Sequence, residues 1–394
     1  MKIYRVGGSV RDTLLHGHNR GDNDFVVVGA IEKEFLEHFP QAQKVGKAFP
    51  VFLVDGDEYA FARKEKKVAD GYHGFETIFD STITLEEDLR RRDITINAIA
   101  QDIETGEIID PLNGRADLQA KRIVHVSSAF SEDPLRTYRV ARFAATLPDF
   151  VVDSTTIELM KTLKKELQTL SPERVWSECN RALAQAGPDR FFTLLKKSDL
   201  LSVHFPELDA LIGVPAGPKE FHPEEDSFSH ALETVKLVES ESPIVRFAAL
   251  MHDIGKGATP QSEWPSHHNH TKTGVTLLSQ LAKRLKIQTK HQKAAELAIT
   301  YHMKAGVIDE MTPKKIVDLL VAVRPFPVDS IRGFFTVVAA DNHKKVSDFE
   351  YIFKWADTLF AVSLPEKYRN QGLKSGEMLR QLRIEKIKSC LTSR

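Results

Sequence analysis

Asp22 and Asp24 stand two apart at the start of an apolar run, Asp22-Asn23-Asp24-Phe25-Val26-Val27-Val28, and strand alternation predicts that both carboxylates face the same side. Two hard oxygen ligands on one face suit Mg²⁺, which takes one or two protein carboxylates and leaves its other positions to water and nucleotide phosphates. A pair of such ions would hold an attacking hydroxyl and a leaving pyrophosphate in line. Just upstream, a strand over Lys2–Val6 runs into Gly7-Gly8-Ser9 and an amphipathic segment, Val10–Leu15. That order lets backbone N–H groups at a helix start face an anion. Gly-Gly before a helix is also common punctuation, and a charged strand edge is the plain alternative for Asp22. Neither explains two acids opening a very apolar strand so soon after a glycine turn.

Further residues follow in order. Arg63–Phe75 contains Gly71-Tyr72-His73-Gly74-Phe75; Arg91-Arg92-Asp93-Ile94-Thr95-Ile96-Asn97-Ala98 comes next, then Glu132-Asp133-Pro134-Leu135-Arg136 with Arg139 and Arg142 beyond it. Together with Gly7-Gly8-x-x-Arg11-Asp12 and Asp22-x-Asp24, these segments resemble the signature of the DNA polymerase β nucleotidyltransferase superfamily. The form is that of the class II family of bacterial tRNA nucleotidyltransferases, the CCA-adding enzymes, and poly(A) polymerases, and the resemblance spans residues 3 to about 145. It implies Mg²⁺ catalysis at Asp22 and Asp24, a flexible loop at Arg63–Phe75, and nucleotide binding by Gly8, Arg11, Arg92, Asp133, Arg136, Arg139 and Arg142. Asp93 and Asn97, four apart on an expected helix, read as scaffolding.

Asp133 and Arg136 carry a chemical logic of their own. Cytosine and adenine present an amino donor beside a ring-nitrogen acceptor, whereas guanine and uracil present a carbonyl beside an N–H. A carboxylate beside a guanidinium is an acceptor beside donors, so it matches C and A and leaves G and U with like groups facing. Asp133 before Pro134 is equally a helix cap with proline in the first turn. The arginines at 136, 139 and 142, three apart on one helical stripe, favour a place for triphosphate and base edge.

In the second half, His230, His252-Asp253 and Asp341 resemble the metal-ligand set of HD-domain phosphohydrolases. Imidazoles with carboxylates suit a divalent transition metal, nickel among the candidates, whose bound water becomes the nucleophile. Ala248-Ala249-Leu250-Met251-His252-Asp253-Ile254-Gly255-Lys256 places the pair at the end of an apolar helix closed by glycine. His267, His268, His270 and His302 are candidates for a second metal or a phosphate contact.

The elements that must position these residues divide along the chain. Short β-branched and aromatic runs (Lys2–Val6, Asp24–Val28, Pro50–Val54, Glu58–Ala62) with one short helix predict a mixed α/β head. From Pro134 onward apolar residues recur at helical spacing; behind Ser171-Pro172, Val175, Cys179, Ala182 and Leu183 share a face. The expected fold is an α/β nucleotidyltransferase head over 1–122, a mainly helical nucleotide-reading and RNA-binding neck and body over 123–217, a helical HD domain over 228–342 and a helical tail over 343–394, with the turn-rich Gly213–Pro218 as a boundary.

At 394 residues with a formal net charge of −1, the chain has material for several cores and no global polyanion signature, so RNA must be held by local basic clusters. Two distant cysteines exclude a disulfide framework or thiolate zinc site. The start lacks a signal-peptide core and no apolar stretch is membrane length, so a cytoplasmic protein is expected, with no membrane partner, as monomer or homodimer. The resemblance implies CCA addition to tRNA from CTP and ATP, with 2′,3′-cyclic phosphodiesterase, 2′-nucleotidase and phosphatase activity in the HD domain. Poly(A) polymerase is the alternative, disfavoured by the histidine cluster. An alarmone synthetase-hydrolase would carry its HD domain first, and a non-enzymatic RNA-binding protein would not need both acid sets.

Overall fold

The computed structural model describes residues 1–19, 21–45, 51–67, 75–218, 220 and 224–392. Most of the expected loop at 63–75, including Gly71 to Gly74, lies outside them. The chain forms two compact units, residues 1–178 with 197–203 and residues 179–196 with 204–394.

The first unit begins with β1 (Lys2–Val6), α1 (Gly8–His16), β2 (Asp24–Val28), α2 (Glu32–His38), β3 (Gln43–Val45), β4 (Val51–Val54) and β5 (Asp57–Phe61). The hairpin β6 (Arg63–Lys67) and β7 (Phe75–Phe79) follows, then α3 (Leu85–Arg90), β8 (Ala100–Asp102), β9 (Ile108–Ile109) and α4 (Gly114–Gln119). The main sheet has the order β3-β4-β5-β2-β1-β8-β9. Its strands are buried on both faces by alternation: on β1, Ile3 packs with Val27, Phe35 and Phe52, while Tyr4 and Val6 pack oppositely with Val26, Leu89 and Ala100. A one-residue slip would exchange these two cores, so packing fixes the register. Sequence reading expected a single helix here; the structure has four, because α2, α3 and α4 are too short to show helical periodicity.

The rest of this unit is helical apart from the paired β10 (Arg122–Ile123) and β11 (Val151–Val152). α5 (Leu135–Thr146) buries Tyr138, Val140, Ala141, Ala144 and Ala145, and Arg136 with them, while Arg139 and Arg142 are partly exposed. α6 (Ser154–Thr162) and α7 (Lys164–Leu167) lead to α8 (Pro172–Leu183). On α8 the expected apolar face is buried at Val175, Cys179, Ala182 and Leu183.

Chain continues through α9 (Asp189–Lys197), α10 (Leu201–His204), α11 (Pro206–Asp209), α12 (Ser227–Leu237), α13 (Pro243–Met251), α14 (His270–Leu285), α15 (Thr289–Gly306), α16 (Pro313–Val323), α17 (Ser330–Asp341), α18 (Glu350–Phe360) and α19 (Leu373–Thr392). α12 starts on an Asp226 cap that accepts from Ser229 N–H at 2.7 Å. α13 is apolar except for Arg246 and is buried from Val245 to Met251, so it forms the centre of the second unit. It does not end on a glycine cap as expected. The backbone tightens into a 3-10 turn over Ile254–Ala258, and Gly255 is needed for closeness: a Cβ there would lie 1.9 Å from the carbonyl oxygen of His270. Among the described residues no helix is long and apolar enough to cross a membrane.

Candidate active sites

In the first unit the sequence-predicted residues converge on a cleft of about 610 Å³. Its floor is the β1–α1 junction. Gly7 has φ +75°, a conformation that a side chain would strain, and it delivers α1 with no side-chain cap, leaving the first N–H groups of the helix toward the cleft. Gly8, Arg11, Asp24, Arg92, Asp133, Arg136, Arg139 and Arg142 all line the cleft. Asp22 does not; it precedes β2 in irregular backbone, so strand alternation does not set its direction.

The acid that strand pairing places beside Asp24 is Glu58, because β2 and β5 run parallel with Asp24 opposite Glu58. Partial removal from water and the Glu58 charge raise the Asp24 carboxyl, Arg92 pulls it down, and Asp22 adds to the rise. Mutual repulsion among carboxylates is what a divalent cation relieves, so this donor set fits one. The head acids are not, however, gathered within 4.8 Å of one another as those of the second unit are.

Eight arginines and four carboxylates line this cleft, an excess of positive charge suited to a triphosphate. Five of the guanidiniums, those of Arg11, Arg91, Arg92, Arg139 and Arg142, are aimed by buried partners. Asp88, wholly buried, is held at 2.5 Å by Arg91 and 3.1 Å by Arg92. Burial opposes ionisation of Asp88, yet these two arginines keep its pKa below the usual carboxylate value. Asp93 accepts from Arg139 Nε at 2.7 Å and from Ile94 N–H at 2.9 Å. Against the penalty of burial, Arg139 chiefly holds its pKa to about 2. Asn97, in a 3-10 turn rather than on the expected α-helix, receives Arg11 Nη1 at 2.7 Å. Glu178 on α8 accepts from Arg142 Nε at 2.6 Å, and Arg142 lies 4.3 Å over the Phe143 ring. Asp88, Glu58, Glu178 and Arg174 were not foreseen from sequence; the roles of the last three depend on pairings distant in the chain, while Asp88 pairs with Arg91 and Arg92 one helical turn away.

Asp133 combines the two alternatives left open. Its Oδ1 accepts from Leu135 N–H at 3.0 Å, a cap, while Oδ2 accepts from Arg174 at 3.2 Å, and the carboxylate lines the cleft beside Arg136. Arg136 is itself buried and donates to the carbonyl of Ala129.

In the second unit, the ends of α12, α13 and α17 bring together the predicted His230, His252, Asp253 and Asp341, with His270 of α14 and His302 of α15 beside them. His230 Nε2 is 3.1 Å and His252 Nε2 3.2 Å from Asp341 Oδ1; His302 Nε2 is 3.3 Å and His270 Nε2 3.5 Å from Asp253 Oδ1. The outer nitrogens define the tautomers. Nδ1 of His252 donates to Ala249 O at 2.7 Å, that of His270 to His267 O at 2.8 Å, and that of His302 to Ala298 O at 2.9 Å. The Nε2 atoms of all three, and Asp253 Oδ1, are buried without hydrogen bonds. Buried polar atoms left unsatisfied and pointed at one another fit a metal ion. Burial lowers the His270 pKa and keeps that ring a neutral ligand. Burial acts the same way on His252, but Asp253 and Asp341 outweigh it and push the ring up to about 10. The cluster therefore attracts positive charge.

His267 and His268 do not join the cluster. His267 is held on both sides, by Thr259 Oγ1 and Pro215 O, each at 2.6 Å, and His268 is exposed. An adjoining cavity of about 300 Å³ reaches Asp253, His270, His302 and Asp341, with Lys256 in its wall. Lys256 donates to Ala216 O at 2.6 Å and pairs with Asp253.

Three domain models match successive parts of the chain. The model of the poly A polymerase head domain matches residues 3–124, that of the probable RNA and SrmB-binding site of polymerase A residues 149–212, and that of the HD domain residues 227–358. The chain is similar, part by part, to a poly A polymerase head domain and to an HD domain. It is a nucleotidyltransferase head with a mixed sheet, followed by a helical body and an HD fold. Solved structures share this fold across the chain. The Bacillus stearothermophilus CCA-adding enzyme in complex with CTP is 22% identical with TM-score 0.67, covering 98% of this chain and 89% of that one. A CCA-adding enzyme in an apo form is 19% identical with TM-score 0.66, covering 98% and 88%. The Thermotoga maritima CCA-adding enzyme complexed with tRNA is 19% identical with TM-score 0.60, covering 100% and 91%. His230, His252, Asp253, His270, His302 and Asp341 lie within the segment matched by the HD model, whereas the head cleft takes Gly7 to Asn97 from the head-domain segment and Asp133 to Phe143 and Arg174 from beyond it.

Proposed function

We propose that this chain completes the CCA end of tRNA from CTP and ATP, and that its HD domain hydrolyses 2′,3′-cyclic, 2′- and other phosphoesters at nucleotide ends. The observation that carries the first part is the single cleft in which Asp24 and Glu58, the arginine stripe of α5, and the Asp133–Arg136 pair face the same space. The apportionment is a head over 1–122, a nucleotide-reading neck and body over 123–217, an HD domain over 228–342 and a tail over 343–394.

Asp22, Asp24 and Glu58 would hold Mg²⁺, which when bound lowers the barrier by promoting the 3′-hydroxyl and neutralising the pyrophosphate. Arg11, Arg92, Arg139 and Arg142 take up the triphosphate, pre-aimed by Asn97, Asp88, Asp93 and Glu178, so little side-chain entropy is lost on binding. Asp133 accepts from the base amino group and Arg136 donates to the ring nitrogen; Arg174 fixes the Asp133 carboxylate. Guanine or uracil would set donor against donor and acceptor against acceptor.

In the HD domain, His230, His252, Asp253 and Asp341, joined by His270 and His302, would hold a transition metal such as Ni²⁺, supplying an acidified water as nucleophile. Lys256 stands in the cavity wall to receive phosphate charge. A poly(A) polymerase is the alternative for the head. The deciding experiment gives tRNA lacking CCA labelled CTP and ATP, alone and together, and sequences the products. Addition of CCA and no further supports the proposal; extension by ATP alone into a long tail overturns it. His252→Ala in the same assay is expected to keep CCA addition and lose hydrolysis of 2′,3′-cyclic nucleotides.

A further inference from the structure

The HD cavity does not end at its own rim. Met303 and Val307, at the C-terminal end of α15, line both that cavity and a groove of about 660 Å³ bounded by α15 and α16. Both side chains are open to solvent, at 58% and 47% exposure. Tyr301 stands on the groove wall one turn earlier, with Lys304 Nζ 5.7 Å from its ring centre, and exposed Lys315 lines the α16 side. Of the two acids at the rim, Asp318 is already paired by Arg380 at 2.8 and 2.6 Å, which leaves Glu310 against two lysines.

An exposed apolar ledge opening into a phosphoester-cleaving site calls for an occupant. The cavity, at about 300 Å³, lies at the small end of the range that holds one ligand. A chain whose terminal phosphate fills it must lay its next units outside, and the only continuation that shares wall residues with it among the described cavities is this groove. Apolar and aromatic surface flanked by cations is the composition of a single-strand nucleic-acid platform, where bases stack and backbone phosphates meet ammonium groups without sequence reading.

Building on the phosphohydrolase proposal for the same site, we infer that the α15–α16 groove seats the nucleotides preceding the reacting end of a single-stranded RNA, so the HD domain is selective for polynucleotide ends over free nucleotides. A peptide or a second copy of the chain would need neither lysine.

The test compares the metal-loaded full chain with a Lys304→Glu/Lys315→Glu variant, both residues being exposed and outside the metal cluster. Substrates are 2′,3′-cyclic CMP and a five-nucleotide RNA ending in a 2′,3′-cyclic phosphate. Expected is a kcat/KM about tenfold higher for the RNA in the parent, as one stacked base supplies, falling to the mononucleotide level in the variant while the mononucleotide rate stays unchanged. Equal kcat/KM for both substrates in the parent, or a variant that slows both alike, overturns the groove. If the parent hydrolyses neither substrate, the phosphohydrolase proposal has failed instead. Photo-crosslinking then still decides: an RNA with a reactive base next to its terminal phosphate should label residues between Tyr301 and Lys315, and labelling confined to other regions rejects the inference.

Discussion

The imidazole of His230 is gripped from both sides: Nδ1 lies 3.1 Å from Glu224 Oε1 and Nε2 lies 3.1 Å from Asp341 Oδ1. His343 Nε2 approaches the same Glu224 oxygen at 3.0 Å. Glu224 thus sets which nitrogen of His230 faces the cluster and, in the proposed metal site, would strengthen that nitrogen as a ligand. Glu224→Ala is expected to weaken metal affinity about 10- to 100-fold, measured by calorimetric titration of the apoprotein, while Glu224→Gln, which keeps an acceptor, recovers part of it. Unchanged affinity in the alanine variant would remove Glu224 from the site.

Asp93 links acid stability to the nucleotide cleft. Its folded pKa of about 2 lies below the ordinary carboxylate value of 3.8, so the unfolded chain takes up the proton first as pH falls. The stabilisation is fully present above about pH 4 and is lost on descending through pH 2, amounting to about 2 kcal/mol. Asp93→Asn is expected to flatten urea midpoints between pH 5 and pH 2.5 relative to the parent. It also frees Arg139, so the KM for nucleotide should rise. Parallel pH curves for the two proteins would show that Asp93 is not the group responsible.

Asp24→Ala is expected to lower nucleotide addition by at least about a thousandfold with tRNA affinity nearly intact, since carboxylates hold the ion and basic residues hold RNA. Asp22→Ala should match it, and Glu58→Ala should show an intermediate loss that higher Mg²⁺ partly restores. Single-turnover rates beside filter-binding affinities separate these effects. Robust addition by Asp24→Ala would refute the metal assignment.

Asp133 and Arg136 are distinguished from a simple cap by what changes. Arg136→Ala should alter the ratio of CTP and ATP to GTP and UTP incorporation, by about tenfold or more for a lost base contact. Arg174→Ala should loosen the same ratio less, because Asp133 keeps its bond to Leu135 N–H. If all four nucleotides keep their relative rates while only melting temperature falls, the pair is structural.

What was legible in the sequence was local. Arg136, Arg139 and Arg142 share a stripe because helical spacing places them there, and His252-Asp253 ends α13 because an apolar run must stop at the core boundary. Glu58 was not legible, since its meeting with Asp24 follows from parallel pairing of β2 with β5, strands separated by α2 and two other strands. Arg174 and Glu178 carry no local signature either; each is an ordinary charged residue on a helix until tertiary packing sets a carboxylate or arginine opposite. Asp22 was assigned to the strand by alternation, but β2 begins two residues later. His267, a candidate for a second metal or a phosphate contact, lines the HD cavity but has both nitrogens occupied by Thr259 and Pro215, pairings that histidine density does not reveal.

The carbonyls that receive His252, His270 and His302 lie three or four residues earlier in the chain. Each ring is therefore braced by its own local backbone, and its angle is settled before any ion arrives. A socket built this way has little give: it can discriminate among cations by their preferred bond lengths, favouring those that bind imidazole at about 2.0–2.1 Å over the larger, oxygen-seeking Ca²⁺. If the cluster holds an ion as proposed, choice of metal is a mechanical property of helix geometry, and loosening one turn of α15 would change which ion is kept.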